Sequence, residues 1–246
     1  MIFNFKKIRK QLWFSEKRGK YFTYAVSEIL LIMIGIVLAF QINNWKEKSD
    51  NQKIEKELIA NIWYGLQGDL IDIKANNEAH ARFLKNQVSS INWLESKKGM
   101  TDSVTGYFSI AHKATAFLIS KAPFETLKEF GLNRISNDTL RLNIIYLYDV
   151  SYPNFEKTHT DYHKVLNEAL DIGLVYFEDW SYKKNVNLMK PLNIKNLKKD
   201  RKYLMKLKYL KKLSELLLLY NRDLENQVTN TIGLIERNYL NKNNKG

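Results

Sequence analysis

The sequence predicts an all-α protein: a single N-terminal transmembrane helix followed by an extracytoplasmic antiparallel helical bundle with long first and last helices. Three observations predict it. Residues 22–44 form a run that is apolar on every helical face; apolar side chains recur at three- and four-residue intervals through most of the remaining chain; no segment sustains strand alternation. The expected divisions are a basic amphipathic cytoplasmic segment over 1–21, the transmembrane helix over 22–44 and a helical domain over 45–246.

The apolar run justifies the first element. From Phe22 to Asn43 are 22 residues, about 33 Å of helix at ~1.5 Å per residue, against a hydrocarbon core of ~30 Å. Only Glu28 is formally charged within it, and Trp13, Tyr21, Tyr24 and Trp45 lie at interface depth on either side. The residues after it, QINNWK, lack the small side chains of a signal-peptidase site, so the run is expected to be retained. Seven basic residues precede it and only Lys46, Lys48, Lys53 and Lys56 follow closely, which favours a cytoplasmic N-terminus. The leader, MIFNFKKIRKQLWF, reads either as an amphipathic helix on the anionic leaflet or as a basic tail that fixes topology.

Within the run, Glu28, Gly35 and Ala39 fall on one face with Ala25 and Ile32, and Gly35 and Ala39 form a small-x-x-x-small pair that lets helices approach closely. Glu28 lies about 9 Å inside the boundary that Phe22 marks, by the helical rise. It either stays protonated or snorkels, or is shielded against another span. The expected contact is a homo-oligomer or another membrane protein.

The stretch GKYFTYAVSEILLIMIGIVLAFQINNWKEK resembles the N-terminal signature of an uncharacterised family of bacterial single-pass membrane proteins, a domain of unknown function (DUF6090). The residues that carry the resemblance are Tyr24, Ala25, Glu28, Ile29, Gly35, Ile36, Gln41, Ile42, Asn43, Asn44 and Trp45. A shorter likeness lies in ETLKEFG at 125–131 and ISNDTLR at 135–141. The resemblance implies an envelope protein and lends no catalytic residues. With the charge bias it points to a bacterial inner membrane, N-terminus cytoplasmic and C-terminal domain periplasmic.

Beyond the span, Ile54, Leu58, Ile62, Leu66, Leu70 and Ile73, then Leu84, Val88 and Ile91, predict one long helix to about Leu94. A turn at KKGMTD precedes a second helix over 105–120; Pro123 opens a third, closed by Gly131; Asn137 or Asp138 caps a fourth that ends before Pro153. A fifth is expected from Phe155 to Trp180, a polar connection over 185–196, and a last long helix from Leu197 to about Tyr239.

Composition narrows the chemistry. The chain has 246 residues and no Cys, so disulfides, thiol catalysis and Cys-based metal sites are excluded. Its net charge of +13 is concentrated: residues 1–20 carry +6 and residues 183–212 carry +11. With four His, no Gly-rich phosphate loop and no nucleophile elbow, no enzyme and no cofactor are expected. Glu156, His159 and His163 project from one helix face as a weak metal candidate, beside the plainer reading of a solvated face.

The basic block places Lys198, Lys199, Arg201, Lys202, Lys206, Lys208, Lys211 and Lys212 on a helix with Leu and Tyr. It reads as an ordinary packed helix with a solvated Lys face, or as a surface for anionic lipid or an acidic partner; nucleic acid is not expected. Three functions follow in order: a non-enzymatic interaction module, such as a subunit or adaptor of an envelope complex; a sensory, ligand-binding input module acting through a partner; and an oligomeric pore or membrane effector.

Overall fold

A computed structural model describes residues 18–178, 181–183 and 186–240, which are mostly helical and include one small hairpin. The chain divides into two compact units, Met1–Ile54 and Glu55–Gly246. The first helix, α1 (Arg18–Glu95), is 78 residues long and uninterrupted. None of the 3 prolines falls inside it, so nothing removes a backbone donor along its length.

In the first unit, every described side chain from Tyr24 to Asp50 is exposed. This part of α1 is the one candidate among the described residues that is long and apolar enough to cross a membrane, and none of its apolar window is buried. The leader and Trp13 lie outside the described residues.

The second unit continues with α2 (Asp102–Ala111), α3 (Ala122–Phe130) and a 3₁₀ turn (Leu132–Arg134). Next come α4 (Asp138–Tyr146), a π turn (Leu147–Ser151) and α5 (Tyr152–Gly173). A 3₁₀ turn (Leu174–Tyr176), strands β1 (Ser181–Lys183) and β2 (Val186–Leu188), α6 (Ile194–Lys199), α7 (Arg201–Ile235) and a π segment (Glu236–Leu240) complete it. Local chemistry sets several boundaries. Asn137 Oδ1 accepts the Leu140 N–H at 3.0 Å and caps α4. Gly131 closes α3 at φ 96°, a backbone conformation that a side chain disfavours.

Pairwise contacts set helix directions. Asn77 donates to Glu225 and Ser214 donates to Gln87, so α1 and α7 run in opposite directions. α5 packs along α7 and buries Tyr152, Phe155, Tyr162, Val165, Leu166 and Ala169. Ile59, Ile62 and Leu66 of α1 and Leu207, Leu210 and Leu217 of α7 have no exposed surface; each such side chain contributes roughly 1.5–3 kcal/mol of burial.

Four boundaries differ from the sequence reading. The second helix stops at Ala111, and residues 113–121 have no regular secondary structure, although periodicity extends a helix to Ser120. α4 ends at Tyr146, before Pro153 as expected, but a π turn leads directly into α5, which starts at Tyr152 and not Phe155 and holds Pro153 in its first turn. The fifth helix stops at Gly173, short of Trp180, and an antiparallel hairpin pairing Ser181 with Leu188 stands in the expected polar connection. Strands of three residues are too short to declare an alternation. The last helix begins after a break at Asp200, whose carboxylate accepts the Tyr203 N–H at 2.8 Å and caps α7.

Candidate functional site

The departure from helix at 113–121 is explained by four polar residues of α1. Asp69, Asn76, His80 and Gln87 recur at seven, four and seven positions, share one helix face and are all buried. They satisfy the irregular strand of chain beside them. Gln87 Nε2 donates to Ala111 O at 3.2 Å, Asn76 Nδ2 to Ala116 O at 3.4 Å, and Asp69 Oδ1 accepts the Ser120 N–H at 2.9 Å. From α5, Tyr162 donates to Lys113 O at 2.8 Å and His163 Nε2 lies 3.1 Å from Thr115 O. A partly buried segment without ladder partners is tolerated because side chains supply them.

Burial raises the Asp69 pKa, against the bonds from Tyr152 and Ser120. Tyr152 donates to Asp69 Oδ2 at 2.6 Å. The sequence reading passed over this seam. Its signal is a polar stripe at seven-, four- and seven-residue spacing from Asp69 to Gln87, running through the gap between Ile73 and Leu84.

Three of the four histidines converge on the same strand of chain. The rings of His80 and His159 lie 5.9 Å apart, and those of His159 and His163 4.6 Å apart. His80 Nε2 is 3.0 Å from Thr115 Oγ1, a hydroxyl–imidazole contact. It lacks the rest of a catalytic arrangement: His80 Nδ1 has no orienting acid, and His80 has no exposed surface through which substrate could arrive. Burial, then the neighbouring imidazoles, lowers the His80 pKa to about 4, and burial followed by His163 lowers His159 to about 4. Glu156 is held in an ion pair by Lys121 at 2.8 Å instead of facing the rings. Among the described residues, no group of three or more His, Asp or Glu is arranged to hold a metal ion.

The basic block separates into two populations. Lys198 Nζ donates to Ser96 O at 2.8 Å and Lys98 O at 2.6 Å, and sits 4.1 Å over the Trp93 ring, so it closes the C-terminal end of α1. Lys206 pairs with Glu168, Lys208 with Glu95, and Lys211 with Glu215 at 2.9 Å. Lys199, Arg201, Lys202 and Lys212 are exposed.

In the first unit, Glu28, Gly35 and Ala39 are exposed, and a Cβ added at Gly35 meets nothing within 4 Å. Tyr24 and Trp45 are exposed; the side chain of Tyr21 lies outside the described residues. In the second unit, a groove of about 430 Å³ runs between α5 and α7. Phe155, Leu213 and Leu224 floor it; Tyr146 and Tyr220 line it with Asp161 and Asp223. No family model matches the chain, and no curated protein or solved structure matches it.

Proposed function

We propose that this chain is a non-enzymatic, membrane-anchored interaction module, a subunit or adaptor of a bacterial envelope complex. We also propose that it belongs to the single-pass family that its first helix resembles. The observation that carries the reading is the exposure of the apolar run: Leu30, Leu31, Ile34, Val37, Leu38 and Phe40 are all more than half exposed. A contiguous apolar surface of that size is costly in water and stable in lipid. In this reading the segment before it is cytoplasmic, and the second unit is a periplasmic antiparallel helical bundle.

The face of Glu28, Gly35 and Ala39 is the contact with a second copy or another membrane protein. Crosslinking and pull-down of the tagged chain from native membranes tests the proposal. Discrete co-purifying proteins or self-crosslinks are expected, and Gly35→Ile should remove them. A chain that crosslinks to nothing and is unaffected by Gly35→Ile would sink it.

A second reading is favoured by the groove between α5 and α7. Its volume suits a small ligand, and two carboxylates against the single Lys157, with two tyrosines at an apolar floor, suit one carrying an amine. The unit would then be an input module acting through a partner. A ligand that co-purifies with the full chain and is lost in Tyr220→Ala supports it; chain free of any small molecule, with an unchanged melting temperature across an amine panel, counts against it.

A further inference from the structure

We infer that the end of the second unit formed by residues 174–175 and 192–202 docks on an anionic lipid bilayer other than the one crossed by the chain's own span. The inference rests on the membrane-anchored reading above, and it concerns a different surface.

Three aliphatic side chains project at this end: Leu174 is 51% exposed, Val175 70% and Leu192 61%. They are not loose. Gly173, just before them, packs so closely on the buried Tyr203 ring that a Cβ would lie 2.9 Å from it. The Tyr176 hydroxyl donates to Asp200, the Leu192 N–H donates to Tyr176 O at 2.8 Å, and Phe177 bridges to Pro191. These bonds therefore hold three aliphatic tips in solvent at one end of the unit.

The stretch that follows Leu192 carries Lys195, Lys199, Arg201 and Lys202, all exposed and none in an ion pair among the described residues. Lys97 and Lys98, just past the end of α1, are exposed and belong to the same end, because Lys198 holds that turn through the Ser96 and Lys98 carbonyls. The ion pairs of the cation-rich block thus lie farther along α7, at Lys206, Lys208 and Lys211, and its unpaired members lie nearer the apolar tips in the chain. Cations alone would suit any polyanion. Aliphatic tips beside cations suit a bilayer surface, where acyl chains meet the tips and phosphate groups the cations.

Location chooses the bilayer. The chain enters this unit at Glu55, and the docking end packs against the Glu95 end of α1. Forty residues of helix separate the two, about 60 Å at ~1.5 Å each. The point where the chain enters the unit and the docking surface therefore belong to opposite ends of it.

The test is vesicle tethering by the full chain. The chain is reconstituted in phosphatidylcholine vesicles and mixed with a second, labelled population containing phosphatidylglycerol. Tethering is expected, read as co-flotation of the label, and should fall about tenfold or more with added salt. Lys199→Glu/Arg201→Glu/Lys202→Glu should abolish it, and Val175→Asp/Leu192→Asp should weaken it severalfold, with helical content unchanged in both.

Equal tethering of vesicles lacking phosphatidylglycerol, or tethering that survives charge reversal, would overturn the inference. So would loss on charge reversal with no effect of Val175→Asp/Leu192→Asp, which would assign the surface to an acidic macromolecule. Failure of the anchor reading is read separately, as carbonate extraction of the chain from the first vesicles. Direct flotation of the extracted chain with phosphatidylglycerol vesicles would then decide the docking surface by the same variants.

Discussion

Tyr239 donates its hydroxyl to Glu55 Oε1 at 2.6 Å across 184 positions of sequence. The same oxygen accepts the Ser136 N–H at 2.6 Å and the Ser136 hydroxyl at 2.8 Å. One buried carboxylate at the first residue of the second unit therefore ties α1 to the turn before α4 and to the final π segment. Glu55→Ala should cost about 1–3 kcal/mol, because it leaves the Ser136 donors without an acceptor. For a unit of this size the melting temperature should drop by roughly 3–9 °C. Tyr239→Phe removes a single bond and should lower it by about a third as much. Equal melting temperatures for both variants and the parent chain would show that water replaces the clasp.

Gly173 and Gly233 make a matched pair. A Cβ at Gly173 would lie 2.9 Å from Tyr203 Cε2, whereas one at Gly233 meets nothing within 4 Å. Because the Tyr203 ring is fully buried and fixed by Phe108 and His112, Gly173→Ala should destabilise by about 1–3 kcal/mol. Gly233→Ala, on α7, should stabilise by up to about 1 kcal/mol by restricting the unfolded chain. Urea denaturation monitored by circular dichroism distinguishes the two; the same sign for both would contradict the packing.

The imidazoles give the second unit an acid sensitivity. His80 and His112 are buried, and burial lowers each pKa to about 4 from the ordinary 6.5. The folded state holds them neutral while the unfolded chain protonates them below 6.5. Their contribution is intact above pH 6.5 and is lost as pH falls towards 4, by up to about 3 kcal/mol for each. The urea midpoint should already decline between pH 6.5 and 5, above the range where most carboxylates titrate. A flat midpoint over that interval would mean that both rings reach water.

Adjacent lysines should behave differently. Lys198→Ala removes two hydrogen bonds and the contact with Trp93 and should destabilise by about 1–2 kcal/mol. Lys199→Ala, at an exposed position, should change stability by less than about 0.5 kcal/mol. Thermal melts of the two variants decide the matter, and comparable losses would argue against the cap.

Sequence and structure divide the information about this protein along a physical line. Length, side-chain period and the position of proline act locally, so residues 22–44 declare an apolar helix, and Pro123, Gly131 and Asn137 declare helix ends, without knowledge of any neighbour. The conformation of residues 113–121 is decided elsewhere. It depends on Asp69, Asn76, His80, Gln87, Tyr162 and His163 supplying hydrogen bonds from α1 and α5. Nothing in the apolar spacing of AFLISK, residues 116–121, reports those partners. Likewise the eight basic residues of 198–212 are equivalent in sequence. Only packing separates Lys198, Lys206, Lys208 and Lys211, which meet carbonyls or carboxylates, from Lys199, Arg201, Lys202 and Lys212, which face solvent. The sequence by itself determined the helical class and the apolar run, because both follow from near neighbours along one helix. Tertiary structure decided which polar and charged groups are consumed by the fold, because a hydrogen bond or ion pair depends on distance in space and not on separation along the chain.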